Sequence, residues 1–200
     1  MLYAITDSNL LNDDKLFSGV EATLNAGCDW IQYRDKSQDQ AKRLKEASQL
    51  LKICNRYSAS LMINDDLLLA KKINAHGVHL GQGDGDVKVA RKLLGKDSII
   101  GVTCHNSLDL AQKAIDDGAS YIAFGRFFSS NTKPDAQGAS LDLLVAARKN
   151  FSHIKIVAIG GITPENAKMI LDAGANKIAV CHGLFSADNI EAQTKRFIKN

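Results

Sequence analysis

The chain has 200 residues, of which 45% are hydrophobic and 24% are charged, and these values exclude a disordered, collagen-like or membrane-embedded chain. Its 25 basic and 22 acidic residues give a formal net charge of +3. Because the basic residues are scattered and aromatic residues make up only 6% of the chain, we do not expect a nucleic-acid-binding protein, whereas small anionic ligands are compatible.

Short apolar runs and amphipathic stretches alternate along the whole chain. In chain order, the predicted strands are LYAIT (2–6), the end of NAGCDWIQ (25–32), LMI (61–63), the end of NAHGVHL (74–80), IIGV (99–102), the end of DDGASYIAF (116–124), IVAI (156–159) and the end of DAGANKIAV (172–180). The stretches between them, such as SLDLLVAARKNF, have the apolar spacing of helices. Continuous apolarity indicates strands that are covered on both faces, as in a parallel sheet.

One short phrase precedes four of these strands. Each copy ends a helical pattern at a glycine, and the four glycines are Gly27, Gly77, Gly118 and Gly174. Glycine adopts the left-handed conformation that closes a helix without steric cost. The phrase therefore predicts a short connection from a helix to a strand.

Strict alternation of strand and helix implies parallel pairing with right-handed crossovers. The pattern contains eight strands and eight helices, the number that closes a barrel. We therefore predict an α/β fold, with a single (β/α)8 TIM-barrel domain over residues 1–200. An open doubly wound sheet is the alternative, although its glycine-rich phosphate-binding fingerprint is absent after the first strand. No Pro-rich or Ser-rich linker marks a second domain.

Cysteine usage and hydropathy indicate a cytoplasmic protein. The four cysteines, Cys28, Cys54, Cys104 and Cys181, are widely separated and form no CxxC pair, so free thiols in a reducing compartment are expected. The N-terminal segment MLYAIT lacks the basic start and apolar run of a signal peptide. No apolar run approaches the roughly 20 residues that a membrane-spanning helix requires, so no membrane association is expected.

Polar residues gather where the predicted strands end, and in a (β/α)8 barrel the active site forms at the carboxyl ends of the strands. In chain order these residues are Thr6, Asp7, Gln32, Arg34, Lys36, Asn64, Asp65, His79, Gln82, Asp84, Thr103, His105, the segments GRFFSSNTK (125–133) and GGIT (160–163), Cys181 and His182. One cationic residue alone is compatible with a solvated loop. Because unpaired buried charges are costly, several charges at one rim instead indicate a polyanionic ligand.

Two glycines, Gly160 and Gly161, follow the seventh predicted strand. Barrels often bind a phosphate group with the loops after strands 7 and 8, and glycines let backbone N–H groups approach a ligand closely. We therefore expect a phosphate monoester at this loop. A plain tight turn is the alternative.

Two carboxylates, Asp65 and Asp84, come just after the neighbouring third and fourth strands. Oxygen ligands favour Mg2+ over softer metals, and the cationic residues Arg34 and Lys36 would lie nearby. The pattern therefore predicts a site for magnesium and pyrophosphate. The alternative is that Asp65 caps a helix and Asp84 forms a loop turn.

A catalytic zinc site is another hypothesis, because His79, His105 and His182 all lie at strand ends. Zinc hydrolase barrels, however, carry an HxH motif after the first strand. That strand ends at Thr6 and Asp7 here, which argues against zinc.

Six segments resemble, in order, the motifs of the thiamine-phosphate synthase family, whose members join the pyrimidine and thiazole halves of thiamine phosphate. The segments are QYRDK (32–36), IND (63–65), GVHLGQGD (77–84), GVTCH (101–105), SSNTK (129–133) and VAIGGI (157–162). The likeness runs from Tyr3 to about Phe185, nearly the whole chain. It implies a transferase of thiamine biosynthesis.

The resemblance also implies a ligand for each group of site residues. The residues implied to bind hydroxymethylpyrimidine diphosphate are Gln32, Tyr33, Arg34, Asp35, Lys36, Asn64, Thr103 and Lys133, of which Arg34, Lys36, Thr103 and Lys133 are implied to act in catalysis. Mg2+ is the implied cofactor, held by Asp65 and Asp84. The residues implied to bind thiazole phosphate are Ser130, Asn131, Thr132, Gly160, Gly161, Cys181 and His182. The two small-molecule substrates are the expected partners.

Three positions depart from the pattern that this resemblance implies. The family usually has Glu where Asp35 stands, Thr where Ser130 stands and Ser where His182 stands. The first two substitutions keep the functional group. His182 replaces a small hydroxyl with a large titratable ring beside the expected thiazole phosphate.

The polar residues suggest a mechanism without covalent catalysis, because no Ser, Cys or His shows the pairing of a nucleophile with a base. An electron-rich aminopyrimidine can expel pyrophosphate and leave a stabilised cation, which the thiazole nitrogen captures. Mg2+ and cationic side chains would stabilise the charge that develops on the leaving group.

Three other functions are compatible with such a barrel. A thiazole tautomerase resembles the synthase but has a His where this chain has Arg126. A non-catalytic barrel that only binds a phosphorylated ligand would be expected to lose the metal carboxylates. A phosphate-binding aldolase or isomerase is the third, and an aldolase would need a lysine inside a strand, whereas Lys36 and Lys133 lie beyond strand ends.

Overall fold

The computed structural model describes residues 1–12, 14–129 and 138–199. The strands are β1 (Leu2–Ile5), β2 (Trp30–Tyr33), β3 (Ser60–Asn64), β4 (Gly77–Leu80), β5 (Ile99–His105), β6 (Tyr121–Phe124), β7 (Lys155–Ile159) and β8 (Lys177–Val180). The helices are α1 (Asp14–Asn25), α2 (Gln40–Arg56), α3 (Leu67–Ile73), α4 (Val87–Leu94), α5 (Leu108–Asp116), α6 (Leu141–Asn150), α7 (Pro164–Asp172), α8 (His182–Phe185) and α9 (Ile190–Ile198). Among these helices, none has the length and apolar character needed to cross a bilayer.

The strands form one closed parallel barrel in chain order, with β8 returning to pair with β1 through Tyr3 and Ala179. This confirms the predicted (β/α)8 fold. The alternation of strand and helix has one addition within the described residues, since the short α8 lies between β8 and α9. Residues Cys181 and His182, predicted at the end of the eighth strand, begin a helical turn there.

Three of the four phrase glycines close a helix as predicted. Gly27, Gly118 and Gly174 have φ values of 100°, 98° and 119°, which favour glycine. The prediction for Gly77 is wrong, because α3 is closed by Asn74 with φ 58° and Gly77 is the first residue of β4. A Cβ at Gly77 would overlap the carbonyl of Ile99, so this glycine is needed for close strand contact.

The phrase also places an acceptor for an arginine from the preceding helix. Arg91 of α4 donates to the carbonyl of Gly118 at 2.8 Å and to Ser120 Oγ at 3.0 Å. Arg148 of α6 makes the equivalent bonds to the carbonyl of Gly174 and to Asn176 Oδ1. Each arginine thus ties the end of a helix to the start of a later strand, and the repeated sequence has a repeated structural role.

Two apolar cores lie on opposite faces of the barrel sheet. The larger core fills the space between the strands and the surrounding helices. The smaller core fills the lumen, and its buried members are Tyr3, Ile5, Trp30, Met62, Tyr121, Ala123, Val157 and Ala179. The lumen is thus packed with side chains below the site.

Gly101 makes room for an aromatic contact across the lumen. A Cβ at Gly101 would overlap the ring of Tyr121, which crosses the lumen to reach Tyr3 with their ring centroids 5.9 Å apart. Tyr121 has no exposed surface, so its ring cannot move outward. The glycine inside β5 is therefore a packing requirement.

Replacing Gly101 by Ala is expected to lower the free energy of unfolding by about 2 kcal/mol, because overpacking a rigid core costs about 1–3 kcal/mol. Gly83→Ala is the matched control, since a Cβ at Gly83 meets no atom within 4 Å. Denaturant unfolding followed by circular dichroism measures both variants. Equal stability of the two variants would contradict the packing argument.

Candidate active site

The segment from Gln32 to Lys36 leaves β2 with alternating side-chain directions. Gln32 points into the lumen, where its Nε2 donates to Tyr3 Oη at 2.7 Å. The backbone N–H of Arg34 donates to Thr6 Oγ1 at 2.9 Å, which fastens the segment to the end of β1. Gln32, Arg34 and Lys36 therefore share the inner side of the strand end.

Tyr33 and Asp35 point the other way, toward α2. The Tyr33 hydroxyl donates to Glu46 Oε2 at 2.7 Å. Asp35, whose side chain is 1% exposed, accepts from Lys42 Nζ at 2.9 Å and from the Ser37 backbone N–H at 2.7 Å. Burial opposes ionisation of Asp35, yet these bonds hold its pKa below the ordinary value. Both side chains thus help to fix the loop, and the substrate contacts that the resemblance implies for Tyr33 and Asp35 stay a prediction.

Arg34 is oriented by Asp7, a residue that the resemblance did not assign. Arg34 Nη1 lies 3.4 Å from Asp7 Oδ2, and the other carboxylate oxygen of Asp7 accepts from the Asn9 backbone N–H at 2.9 Å. Asp7 is 9% exposed. Its position directly after the first strand was the available signal for this role.

A cavity of about 330 Å3 opens beside this pair at the ends of β1, β2 and β8. Its lining residues are Asp7, Ser8, Asn9, Leu10, Arg34, Lys36 and His182. The cavity thus brings together two predicted diphosphate ligands and one predicted thiazole phosphate ligand. An anionic group fits its two cations and its histidine.

Asp65 and Asp84 come together as predicted. Burial, and next the negative charge of Asp84, raise the pKa of Asp65 above its ordinary value. Asn64 Nδ2 donates to Asp65 Oδ2 at 2.5 Å. A Cβ at Gly81 would overlap Asp84 Oδ2, so this glycine leaves room for the second carboxylate. Two close carboxylates with a repulsive interaction are suited to a hard cation.

Neither carboxylate caps a helix. The N-cap of α3 is Asp66, which accepts from the Leu69 backbone N–H at 2.8 Å, and the N-cap of α4 is Asp86. Asp65 itself has φ 61°, outside the helix. The capping alternative is therefore wrong for Asp65, whereas Asp84 does close a loop turn, since its backbone N–H donates to the Gly81 carbonyl at 3.3 Å.

The strand-end histidines do not form a zinc site. Within the described ranges, no three His, Cys, Asp or Glu side chains come together as metal ligands. His79 instead bonds Tyr121 and Thr103 across the lumen, each at 2.8 Å. His105 is exposed at the end of β5.

The glycine pair after β7 accommodates the loop after β6. Gly160 and Gly161 have φ values of 107° and 63°. A Cβ at Gly160 would overlap Arg126, and a Cβ at Gly161 would overlap the Ser129 carbonyl. The Phe128 backbone N–H donates to the Gly160 carbonyl at 3.0 Å. Close contact between two loops therefore explains both glycines, and phosphate binding by their backbone stays a prediction.

Four predicted ligands, Ser130, Asn131, Thr132 and Lys133, lie outside the described residues. The described flanks of this segment are held at both sides. The Phe127 backbone N–H donates to the Ile159 carbonyl at 3.2 Å, and the Ala139 backbone N–H donates to the Arg126 carbonyl at 2.8 Å. Phe127 is thus fastened to the end of β7, and Ala139 is fastened to Arg126 in the loop after β6.

Cys181 is a protonated thiol at the mouth. Burial, and next the negative charge of Asp7, raise its pKa to about 12. Its carbonyl accepts from the Phe185 backbone N–H at 3.0 Å, at the start of α8. A thiol with this pKa is a poor nucleophile, because the thiolate is the reactive form.

All four thiols are expected to resist alkylation in the native protein at pH 8. Burial raises the pKa of Cys28 to about 11 and the pKa values of Cys54, Cys104 and Cys181 to about 12. Iodoacetamide labelling followed by mass spectrometry should show four labelled cysteines only after unfolding in guanidinium. Rapid native labelling of Cys181 would contradict its assignment as a protonated thiol.

Comparison with known proteins shows which family this chain belongs to. Residues 2–184 match the family model described as thiamine monophosphate synthase. A thiamine-phosphate synthase from Saccharophagus degradans is 53% identical over 195 residues, which cover 97% of this chain and 89% of that protein.

Two solved structures resemble the barrel. Thiamine phosphate pyrophosphorylase from Pyrococcus furiosus superposes with a TM-score of 0.89 at 30% identity, covering 99% of this chain and 93% of the other. (S)-3-O-geranylgeranylglyceryl phosphate synthase from Thermoplasma acidophilum gives a TM-score of 0.74 at 14% identity, covering 100% and 92%, and shares the fold alone. The resemblance read from the six motifs is confirmed: this chain belongs to the thiamine monophosphate synthase family of transferases.

Proposed function

We propose that this chain joins hydroxymethylpyrimidine diphosphate to thiazole phosphate, giving thiamine phosphate and pyrophosphate. The observation that carries the proposal is the arrangement at three adjacent strand ends. Arg34 and Lys36 follow β2, and the carboxylates of Asp65 and Asp84 meet after β3 and β4. Two cations beside two carboxylates suit a diphosphate bound together with a divalent cation.

In this proposal Asp65 and Asp84 would hold Mg2+. The fit rests on the closeness of the two carboxylates, for which Gly81 leaves room, and a cation between them would relieve the repulsion that raises the pKa of Asp65. Bound there, Mg2+ would neutralise negative charge on the diphosphate oxygens. The protein contributes the two carboxylates, with Asn64 fixing Asp65 at 2.5 Å.

The cationic side chains would stabilise departure of the leaving group. The bond between the pyrimidine methylene carbon and the diphosphate oxygen breaks, and pyrophosphate leaves with the electron pair. Arg34 and Lys36 would bind the oxygens on which the charge grows, and Lys133 would join them. Asp7 keeps the Arg34 guanidinium turned toward the cavity.

Capture of the pyrimidine cation completes the proposed reaction. The nitrogen lone pair of the thiazole forms the new bond to the methylene carbon, so no enzyme nucleophile is needed. This agrees with the protonated state of Cys181. Gln32 and Thr103 would hold the pyrimidine, while Gly160, Gly161, Cys181, His182 and residues 130–132 would hold the thiazole phosphate.

The decisive experiment is incubation of the purified protein with both phosphorylated halves and Mg2+, followed by chromatography. We expect thiamine phosphate and pyrophosphate in equal amounts. Each half incubated alone is the control. Isomerisation of the thiazole phosphate without the pyrimidine would indicate a tautomerase, and binding without any product would indicate a non-catalytic barrel.

A further inference from the structure

Five polar side chains form a continuous hydrogen-bonded chain across the barrel lumen. Gln32 Nε2 lies 2.7 Å from Tyr3 Oη, which lies 2.8 Å from Tyr121 Oη. Tyr121 Oη lies 2.8 Å from His79 Nδ1, and His79 Nε2 lies 2.8 Å from Thr103 Oγ1. The two ends, Gln32 and Thr103, are the proposed pyrimidine ligands, while the tyrosines are 1% and 0% exposed.

Starting from Gln32 as a donor, one arrangement of protons gives every hydroxyl of the chain an acceptor, because each hydroxyl carries a single proton. With Gln32 donating to Tyr3, this arrangement has Tyr3 donating to Tyr121 and Tyr121 donating to Nδ1 of His79, two bonds whose distances alone allow either direction. The ring proton of His79 is then on Nε2, which donates to Thr103 Oγ1. Burial raises the pKa values of both phenols, so they remain donors.

This direction fixes what the two ends offer to a ligand. The Gln32 amide uses one of its two N–H groups on Tyr3, so its nitrogen is turned toward the lumen and its carbonyl oxygen remains as an acceptor. Thr103 Oγ1 accepts from His79, which leaves its own proton to donate. An aminopyrimidine matches this pair, since its amino group donates and the adjacent ring nitrogen accepts. An oxopyrimidine presents the reverse pattern, a carbonyl oxygen beside a protonated ring nitrogen.

We propose that His79 is a positioning residue which, through Tyr121 and Tyr3, fixes the hydrogen-bonding direction of Gln32 and Thr103 and so selects an aminopyrimidine over an oxopyrimidine. The proposal rests on the pyrimidine site of the proposed function. His79 acts through its neighbours and is not assigned a step in the chemistry. Reversal of the chain would require the Gln32 amide to flip, both phenol hydroxyls to rotate and His79 to change tautomer together, and hydrogen bonds in such a buried network strengthen one another.

Binding measurements on two ligands test the selection. The ligands are hydroxymethylpyrimidine diphosphate and its analogue with a carbonyl oxygen in place of the amino group, titrated calorimetrically without thiazole phosphate. The wild type should bind the amino compound more tightly. In Tyr121→Phe, the ratio of the two dissociation constants should fall at least roughly tenfold, about 1.4 kcal/mol. His79→Leu should give the same fall.

Tyr57→Phe is the matched control, because Tyr57 caps α2 on the outside of the barrel, away from the lumen chain. Its ratio should equal that of the wild type. An unchanged ratio in folded Tyr121→Phe, with both affinities lowered equally, would show that the chain only supports packing and would overturn the proposal.

The tautomer of His79 gives a test that needs neither turnover nor a stable variant. Nitrogen-15 NMR of histidine-labelled wild-type protein should show His79 with its proton on Nε2 alone. A proton on Nδ1, or equal populations of the two tautomers, would contradict the chain direction. Because this measurement needs no substrate, a wild type that makes no thiamine phosphate would sink the proposed function while the chain direction is still tested.

Discussion

Replacing Asp65 by Asn is expected to reduce thiamine phosphate formation at least roughly a hundredfold, about 2.7 kcal/mol in the activation barrier. The change removes one of the two carboxylates proposed to hold Mg2+, while the amide keeps the size of the side chain. Asn is preferred to Ala because residue 65 has φ 61°, a conformation in which Asn and Asp are enriched. A steady-state assay at saturating substrates and Mg2+ measures the loss.

The same substitution is expected to raise the melting temperature of the metal-free protein. The folded-state pKa of Asp65 is raised by burial and by Asp84, so its stabilising contribution is present at low pH and is lost as the pH rises through the raised pKa. Above that raised pKa the ionised pair is therefore destabilising. An Asn amide removes this charge and offers an N–H donor toward Asp84. Lower activity combined with higher stability cannot result from misfolding.

Two controls define the Asp65 prediction. Asp86→Asn should keep full activity, because Asp86 is the exposed N-cap of α4 and Asn is an equally good N-cap. Mg2+ should raise the melting temperature of the wild type, since ligand binding stabilises the folded state, but not that of Asp65→Asn. Full activity of Asp65→Asn, or an equal response of both proteins to Mg2+, would exclude a metal site at this pair.

Replacing Arg34 by Gln is expected to lower kcat/KM for hydroxymethylpyrimidine diphosphate by roughly a hundredfold, in the range reported for loss of one group that stabilises transition-state charge. Arg34 lines the cavity with Lys36 and His182, and its guanidinium is held by Asp7 at 3.4 Å. Gln keeps hydrogen-bonding capacity but removes the positive charge. The rate with a fixed, saturating concentration of thiazole phosphate measures the effect.

Arg56→Gln is the matched control for the loss of one arginine. Arg56 pairs with Glu21 at 2.7 Å, with side chains 62% and 37% exposed, and such surface pairs contribute little. Its kinetic parameters should equal those of the wild type. If Arg34→Gln lowered the melting temperature strongly and raised the KM values of both substrates equally, Arg34 would have a structural role instead of binding the diphosphate.

The sequence by itself determined the barrel. Eight continuous apolar runs separated by amphipathic stretches leave few alternatives to a closed parallel sheet, and this prediction is confirmed. Three of the four phrase glycines also close a helix as predicted, because glycine has a local conformational reason to be there. The carboxylates Asp65 and Asp84 were predicted to lie close together for a different reason, because the ends of neighbouring parallel strands meet at one rim.

Only the tertiary structure decided which way each side chain points. In QYRDK, the side chains of Tyr33 and Asp35 face α2, where they bond Glu46 and Lys42. Neither partner can be predicted from the segment itself. Likewise the glycines after β7 make room for the loop after β6, which is a contact between distant parts of the chain.

The hydrogen-bonded side chains across the lumen show most clearly what the sequence alone does not determine. Tyr3 and Tyr121 lie in continuously apolar strands that are buried on both faces, so no polar alternation marks which residues turn inward. Their pairing across 118 positions depends on barrel closure and on the space left by Gly101. Local sequence determines strands and their ends, whereas long-range packing determines the hydrogen-bonding direction at the site.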